Sequence, residues 1–191
     1  MSHTKHIKLL VLDRDGVINK DSPSYIKTPD EWIPIKGSLE AIARLSQAGY
    51  EIVIITNQSG VGRGLFSADT LAQIHVRMID YVQQHGGQIQ SVLFCPHHPD
   101  DDCDCRKPLA GLYRQLADRL NINFSGIYSV GDSIRDLVAA KTVGAQPVLV
   151  KTGNGKKSLK KIADDSHLDL DGTLVFDNLA TFTDALLKQE I

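Results

Sequence analysis

Two aspartates one residue apart give the first sign of chemistry in this chain. In Lys8 to Asn19, KLLVLDRDGVIN, an apolar run ends in Asp13 and Asp15, with Gly16 immediately after. Leu9 to Leu12 are apolar throughout, the pattern of a strand covered on both faces. A carboxylate that such a strand delivers to a turn can act as a nucleophile or hold a metal ion, and a second one beside it can move a proton. Asp-x-Asp-Gly is also how an ordinary loop opens, because Asp and Gly favour turns. The pair alone decides nothing, so its surroundings must.

A second group of reactive side chains lies further on. Cys95-Pro96-His97-His98-Pro99 precedes Cys103-Asp104-Cys105-Arg106-Lys107, and these three cysteines are the only ones in the chain. An odd, clustered set in a reducing compartment fits a metal better than disulfides. Cys95, His97, Cys103 and Cys105 offer four soft or borderline ligands suited to tetrahedral Zn²⁺. With every position filled by protein, such a site is structural, and it would fix Arg106 and Lys107 in place. His98 competes with His97 as the fourth ligand, and a reduced, metal-free loop is the plain alternative.

The elements that must position these groups follow from composition and periodicity. The chain has 191 residues, 42% hydrophobic and 23% charged, which fits one folded domain spanning 1–191 with a full core. A net charge of −2 gives no overall drive toward nucleic acid or membrane. The first six residues lack a signal-peptide plan, and no apolar run approaches the roughly 20 residues that span a bilayer, so a cytoplasmic monomer is expected. Strands are expected at 9–12, 51–56, 89–94, 126–130, 147–150 and 173–176. Helices are expected at 39–48, after Ser67, at 109–121 and 134–143, and after Asn178. The helix after Ser67 shows Leu71, Ile74, Met78, Tyr81 and Val82 at helical spacing. Residues 20–36, with their prolines, read as an irregular loop. This alternation implies an α/β, doubly wound, mainly parallel sheet with helices on both faces. Ligands bind at the carboxyl edge of such sheets, where Asp13, Thr56 and Asp132 would all lie.

Asp13-x-Asp15-Gly16, Thr56-Asn57, Lys107 and Gly131-Asp132-x-x-x-Asp136 together resemble the four ordered motifs of the haloacid dehalogenase-like (HAD) phosphohydrolases. The resemblance implies a Rossmann-like fold and a two-step phosphate transfer. Asp13 would be the nucleophile, Asp15 the general acid and base, Thr56 a phosphate ligand and Lys107 the neutralising cation. Mg²⁺ would be held by Asp13, Asp132 and the backbone carbonyl of Asp15, with Asp136 orienting Lys107 or the metal waters. The cysteine loop further resembles a capless subgroup that holds the heptose-bisphosphate 7-phosphatases of lipopolysaccharide precursor synthesis and the histidinol-phosphate phosphatases of histidine biosynthesis. Asn57-Gln58-Ser59-Gly60 with Arg63-Gly64 resembles the heptose branch. The short span from His97 to Cys103 resembles the histidinol branch. Asn57, Ser59, Gly60, Arg63 and Arg106 would contact a small sugar phosphate, the two arginines suiting a second phosphate.

Two stretches imitate functional motifs. Asp169-Leu170-Asp171-Gly172-Thr173 spells the phosphatase signature better than Asp13 does, but no buried strand precedes it. A turn is expected there. Residues 153–161, GNGKKSLKK, lack the register of a nucleotide-binding loop and read as a solvated basic loop. Two other classes remain open: a phospho-acceptor signalling domain, in which phospho-Asp13 would persist, and a zinc-braced binding module without Mg²⁺-dependent turnover.

Overall fold

A computed structural model describes residues 8–165 and 170–191. The chain runs β1 (Leu9–Leu12), α1 (Ser38–Gln47), β2 (Glu51–Asn57), α2 (Ser59–Gly62), α3 (Ala68–Gln84), β3 (Ser91–Cys95) and α4 (Gly111–Leu120). It continues through β4 (Tyr128–Gly131), α5 (Ile134–Thr142), β5 (Gln146–Val150), α6 (Gly155–Asp164), β6 (Leu174–Phe176) and α7 (Leu179–Leu187). The strands form one parallel sheet in the order β3-β2-β1-β4-β5-β6. From β1 the chain builds outward to β3, then returns to place β4 on the other side of β1. That reversal opens a crevice at the carboxyl ends of β1 and β4.

Alternation along the strands explains the two covered faces, because successive side chains point to opposite sides. Leu10, Leu12, Ile52 and Ile54 share one core with α1, α3 and α7, through Ile42, Met78 and Phe182 among others. Leu9, Val11, Val53 and Ile55 face the other way, toward Leu112, Tyr113 and Leu116 of α4. The 20–36 loop is pinned by Trp32, which is buried against the edge of Tyr81 at a ring separation of 5.7 Å. None of the helices among the described residues is long and apolar enough to cross a membrane.

The sequence reading and the fold differ in two places. The polar segment after β2 contains the short helix α2. Residues 153–161 read as a solvated basic loop, but Gly155–Asp164 form α6. Leu159 and Ile162 pack α6 against Leu137, Leu149 and Leu170, while its lysines stay exposed. Two apolar residues were enough to dock a helix that composition describes as basic. In the copy of the signature, Asp169 lies outside the described residues, and Leu170 to Gly172 lead a turn closed by Thr173 N–H donating to the Leu170 carbonyl at 3.2 Å.

Candidate active site

Asp13 leaves β1 still tied to the sheet, its N–H donating to the Val130 carbonyl at 2.9 Å. This bond aims the side chain into the crevice, where Asp13, Asp132 and Asp136 bring carboxylate oxygens within 4.8 Å of one another. Asp13 Oδ1 is buried and ion-paired with Lys107 Nζ at 3.0 Å. Burial, and then the charges of Asp136 and Asp15, outweigh Lys107 and push the Asp13 carboxyl up to about 6. Burial with Asp13 and Asp136 pushes Asp132 up to about 8. Mutually repelling carboxylates at a cavity wall are the donor set that a hard divalent cation relieves, so Mg²⁺ fits these residues.

Asp132 sits in a slot between two glycines. A Cβ on either Gly16 or Gly153 would strike its Oδ2, and both glycines adopt positive φ, 83° and 54°. The Asn154 backbone N–H donates to the same oxygen at 2.7 Å. The loop into α6 thus helps to fix a carboxylate supplied by β4.

Lys107 is buried, with Nζ donating to the Ile55 carbonyl at 2.6 Å and paired with Asp136 Oδ1 at 2.6 Å. Burial alone would lower its pKa, but Asp13 and Asp136 override this and raise it, so the lysine stays charged. The second oxygen of Asp136 accepts from the Ser133 N–H at 3.0 Å and its hydroxyl at 2.6 Å. Asp136 is therefore committed to Lys107 and to the start of α5, as an orienting residue should be. The backbone of Lys107 is held too: its N–H donates to Asn57 Oδ1 and its carbonyl accepts from Asn57 Nδ2, both at 3.0 Å.

Asp15 has the opposite environment to Asp13. Burial would raise its pKa, but Arg14 and hydrogen bonds from Asn19, Arg14 and Gln58 hold it below the usual range. Asn19 Nδ2 donates to Oδ1 at 2.8 Å and Gln58 Nε2 to Oδ2 at 2.9 Å. Gln58 Nε2 also lies 3.1 Å from Thr56 Oγ1. Thr56, Asn57, Ser59, Arg106 and Lys107 line one cavity with the aspartates, together with Arg135. Gly60 is buried against the Phe66 ring, which a Cβ would strike. Arg63, exposed at the end of α2, is not among the lining residues. Arg106 Nη1 is buried without a partner, so a cationic group is left unspent beside the cavity.

Sequence reasoning did not single out Arg14, Asn19, Gln58 or Arg135. Asn19 and Gln58 carried no charge to attract attention, and Arg14 sat unremarked between the aspartates. Arg135, in the first turn of α5 just after Asp132, carried no motif of its own.

The sulfur cluster forms beyond β3. Cys95 Sγ lies 3.8 Å from Cys103 Sγ and 3.6 Å from His97 Nδ1, and His97 Nδ1 lies 3.2 Å from Cys105 Sγ. Two thiolates at the usual distance of about 2.3 Å from one tetrahedral ion would stand about 3.8 Å apart, so the set fits Zn²⁺. His98 Nδ1 instead accepts from the Asp100 N–H at 3.2 Å.

Residues 104–182 match a family model described as HAD-hydrolase-like. The D-glycero-beta-D-manno-heptose-1,7-bisphosphate 7-phosphatase of Pseudomonas aeruginosa is 53% identical over 180 residues, covering 94% of this chain and 98% of its own length. The enzyme of the same name from Bordetella bronchiseptica is 49% identical over 183 residues, covering 96% and 99%. A crystal structure of D,D-heptose 1,7-bisphosphate phosphatase from B. bronchiseptica, complexed with magnesium and phosphate, superposes with a TM-score of 0.91 at 50% identity, covering 96% of this chain and 99% of that one. A similarly named structure from Burkholderia thailandensis gives 0.73 at 43%, covering 94% and 98%. With these likenesses running over nearly its whole length, the chain belongs to the HAD-like hydrolases and, within them, to the D-glycero-beta-D-manno-heptose-1,7-bisphosphate 7-phosphatase family.

Proposed function

We propose that this protein is a Mg²⁺-dependent phosphomonoester hydrolase that removes the C7 phosphate of D-glycero-β-D-manno-heptose 1,7-bisphosphate, in the supply of activated heptose for lipopolysaccharide. The observation that carries the reading is Asp13: a carboxylate at the end of β1 whose Oδ1 is paired with the buried Lys107 at 3.0 Å and gathered with Asp132 and Asp136 at one cavity. The substrate and its β anomer are those in the names of the relatives.

Phosphate monoesters hydrolyse very slowly unaided, so nucleophile, charge neutralisation and leaving-group protonation must all be supplied. An Asp13 carboxylate oxygen attacks phosphorus as the bond to the sugar C7 oxygen breaks; Asp15, ionised in the free protein, takes up a proton as the anionic substrate binds beside it and gives that proton to the leaving oxygen. The ionised Asp15 then takes a proton from water, whose oxygen attacks the phosphorus of the aspartyl phosphate and releases Asp13 and inorganic phosphate. Thr56 donates to a phosphate oxygen, and Lys107 balances charge on Asp13 and on the transferring group. Asp13, Asp132 and the Asp15 carbonyl would hold Mg²⁺, which supplies further neutralisation as two anions meet. Cys95, His97, Cys103 and Cys105 hold a structural Zn²⁺ in this reading. Arg106 and Arg135 take the second phosphate, which a bisphosphate has and histidinol phosphate lacks. Asn57 and Ser59 form the wall beside it, with Gly60 packed behind them against Phe66. A cytoplasmic monomer is the working unit in this reading.

The test is parallel kinetics on heptose 1,7-bisphosphate and histidinol phosphate, with phosphorus NMR to identify the phosphate released. A clear preference for the bisphosphate and loss of its C7 phosphate are expected. Preference for histidinol phosphate would overturn the substrate assignment.

A further inference from the structure

Arg14 is a cation with almost no water around it, 1% exposed, and no step above uses it. Its Nε and Nη2 each donate to Asp15 Oδ1 at 3.1 Å, and Nη2 reaches Oδ2 at 2.9 Å. Nη2 also donates to Gln58 Oε1 at 3.0 Å. The remaining nitrogen, Nη1, turns the other way and lies 3.2 Å from Nε2 of His75. A guanidinium only donates, so Nε2 must accept and the imidazole must be neutral. The surroundings agree: burial first, and then Arg14, lower the His75 pKa to about 4. His75 projects from the apolar side of α3 and packs against the edge of Phe94, ring centroids 5.7 Å apart.

Arg14 and Asp15 are neighbours in the chain, and two adjacent side chains paired with each other have no fixed direction of their own. Gln58 ties the two together on the cavity side, and His75, from α3, anchors the far end of the guanidinium. We propose that His75 is a positioning residue for proton transfer: by holding Arg14 from behind, it fixes the orientation in which the Asp15 carboxylate faces the cavity. Without His75, Nη1 of a buried arginine loses its acceptor, and the arginine must move off Asp15 to recover one. The inference rests on the phosphatase reading above, in which Asp15 protonates the leaving oxygen.

The experiment uses His75→Leu and His75→Gln in the full chain, each checked for folding by circular dichroism. It compares heptose 1,7-bisphosphate, whose alkoxide needs a proton to leave, with p-nitrophenyl phosphate, whose phenolate does not. Phosphoryl transfer, read in single turnover for both substrates so that hydrolysis of the aspartyl phosphate does not enter, should slow about 10- to 100-fold from the sugar in His75→Leu and no more than about threefold from the aryl ester, with the sugar KM held within about twofold. His75→Gln, whose amide oxygen can accept from Arg14, should restore most of the sugar rate. Equal slowing on both substrates, no slowing, or a glutamine variant as slow as leucine would overturn the role of His75. Wild-type protein that turns over the aryl ester and other alkyl phosphates but not the heptose would overturn the substrate reading alone, and the alkyl-to-aryl comparison would still judge His75. Inactivity on all of them would overturn both.

Discussion

The carboxylates between β1 and β4 and the thiols beyond β3 meet the same electrostatic difficulty in different ways. Each brings like groups together at the carboxyl edge of the sheet, Asp13, Asp132 and Asp136 in one case, Cys95, Cys103 and Cys105 with His97 in the other. The oxygen set opens onto a cavity and is incomplete as a coordination shell. The sulfur set has four protein donors and no room for a substrate. Openness makes the first suited to chemistry, and closure makes the second suited to holding chain in place. Lys107 joins them, two residues after Cys105 and 3.0 Å from Asp13.

The largest effect that would sharpen this contrast is at the nucleophile. Asp13→Asn should lower kcat/KM on the order of 10⁴-fold or more while leaving the fold intact. A purified Asp13→Asn protein with ordinary turnover would end the assignment. Cys103→Ser should act through the other cluster. We expect one fewer bound zinc, an unfolding midpoint lower by roughly 5–10 °C at about 2–4 °C per kcal/mol, and a reduced kcat as the Lys107 loop loosens. An unchanged midpoint would show that the thiols brace nothing.

A smaller effect lies in pH. A carboxyl whose folded pKa is raised binds a proton that the unfolded chain releases, so it stabilises at low pH and loses that contribution as pH rises. With Asp132 pushed up to about 8, the metal-free midpoint should fall from pH 6.5 to 8, and saturating Mg²⁺ should flatten that fall. The window starts at 6.5 because His75, lowered to about 4, has the opposite slope below its unfolded value of 6.5. Calorimetry of Asp132→Asn, whose profile should be flat without metal, checks the attribution. The smallest change lies outside both clusters. Arg135→Gln should raise KM for the bisphosphate about fivefold, with kcat and the KM for a monophosphate unchanged, as befits an exposed charge pair.

The sheet was readable because its strands are short apolar runs that end in the residues doing the chemistry. Asp13, Thr56, Lys107 and Asp132 could be picked out because they stand in the order of the HAD motifs, three of them at strand ends, and the Cys95 to Cys105 set because its thiols cluster at metal-ligand spacing. What escaped notice was held by folding rather than by type. His75 lies within an apolar helical stripe, where it reads as one more buried position, and Arg14 reads as a surface charge until the chain closes over it. The docking of α6 escaped because Gly155, pressed against the Val150 carbonyl, and two apolar contacts give no periodic signal.

One further consequence follows from Asn57. Its side-chain amide exchanges donor and acceptor with the backbone of Lys107 just as a peptide group on a neighbouring strand would. The sheet is in effect one rung longer than its main chain, and that rung is made of a group that hydrolyses spontaneously. Deamidation to aspartate would keep the shape, remove the donor and add a negative charge beside the lysine loop. Asn57→Asp should therefore cost activity before it costs the fold, with the folded spectrum kept while turnover falls.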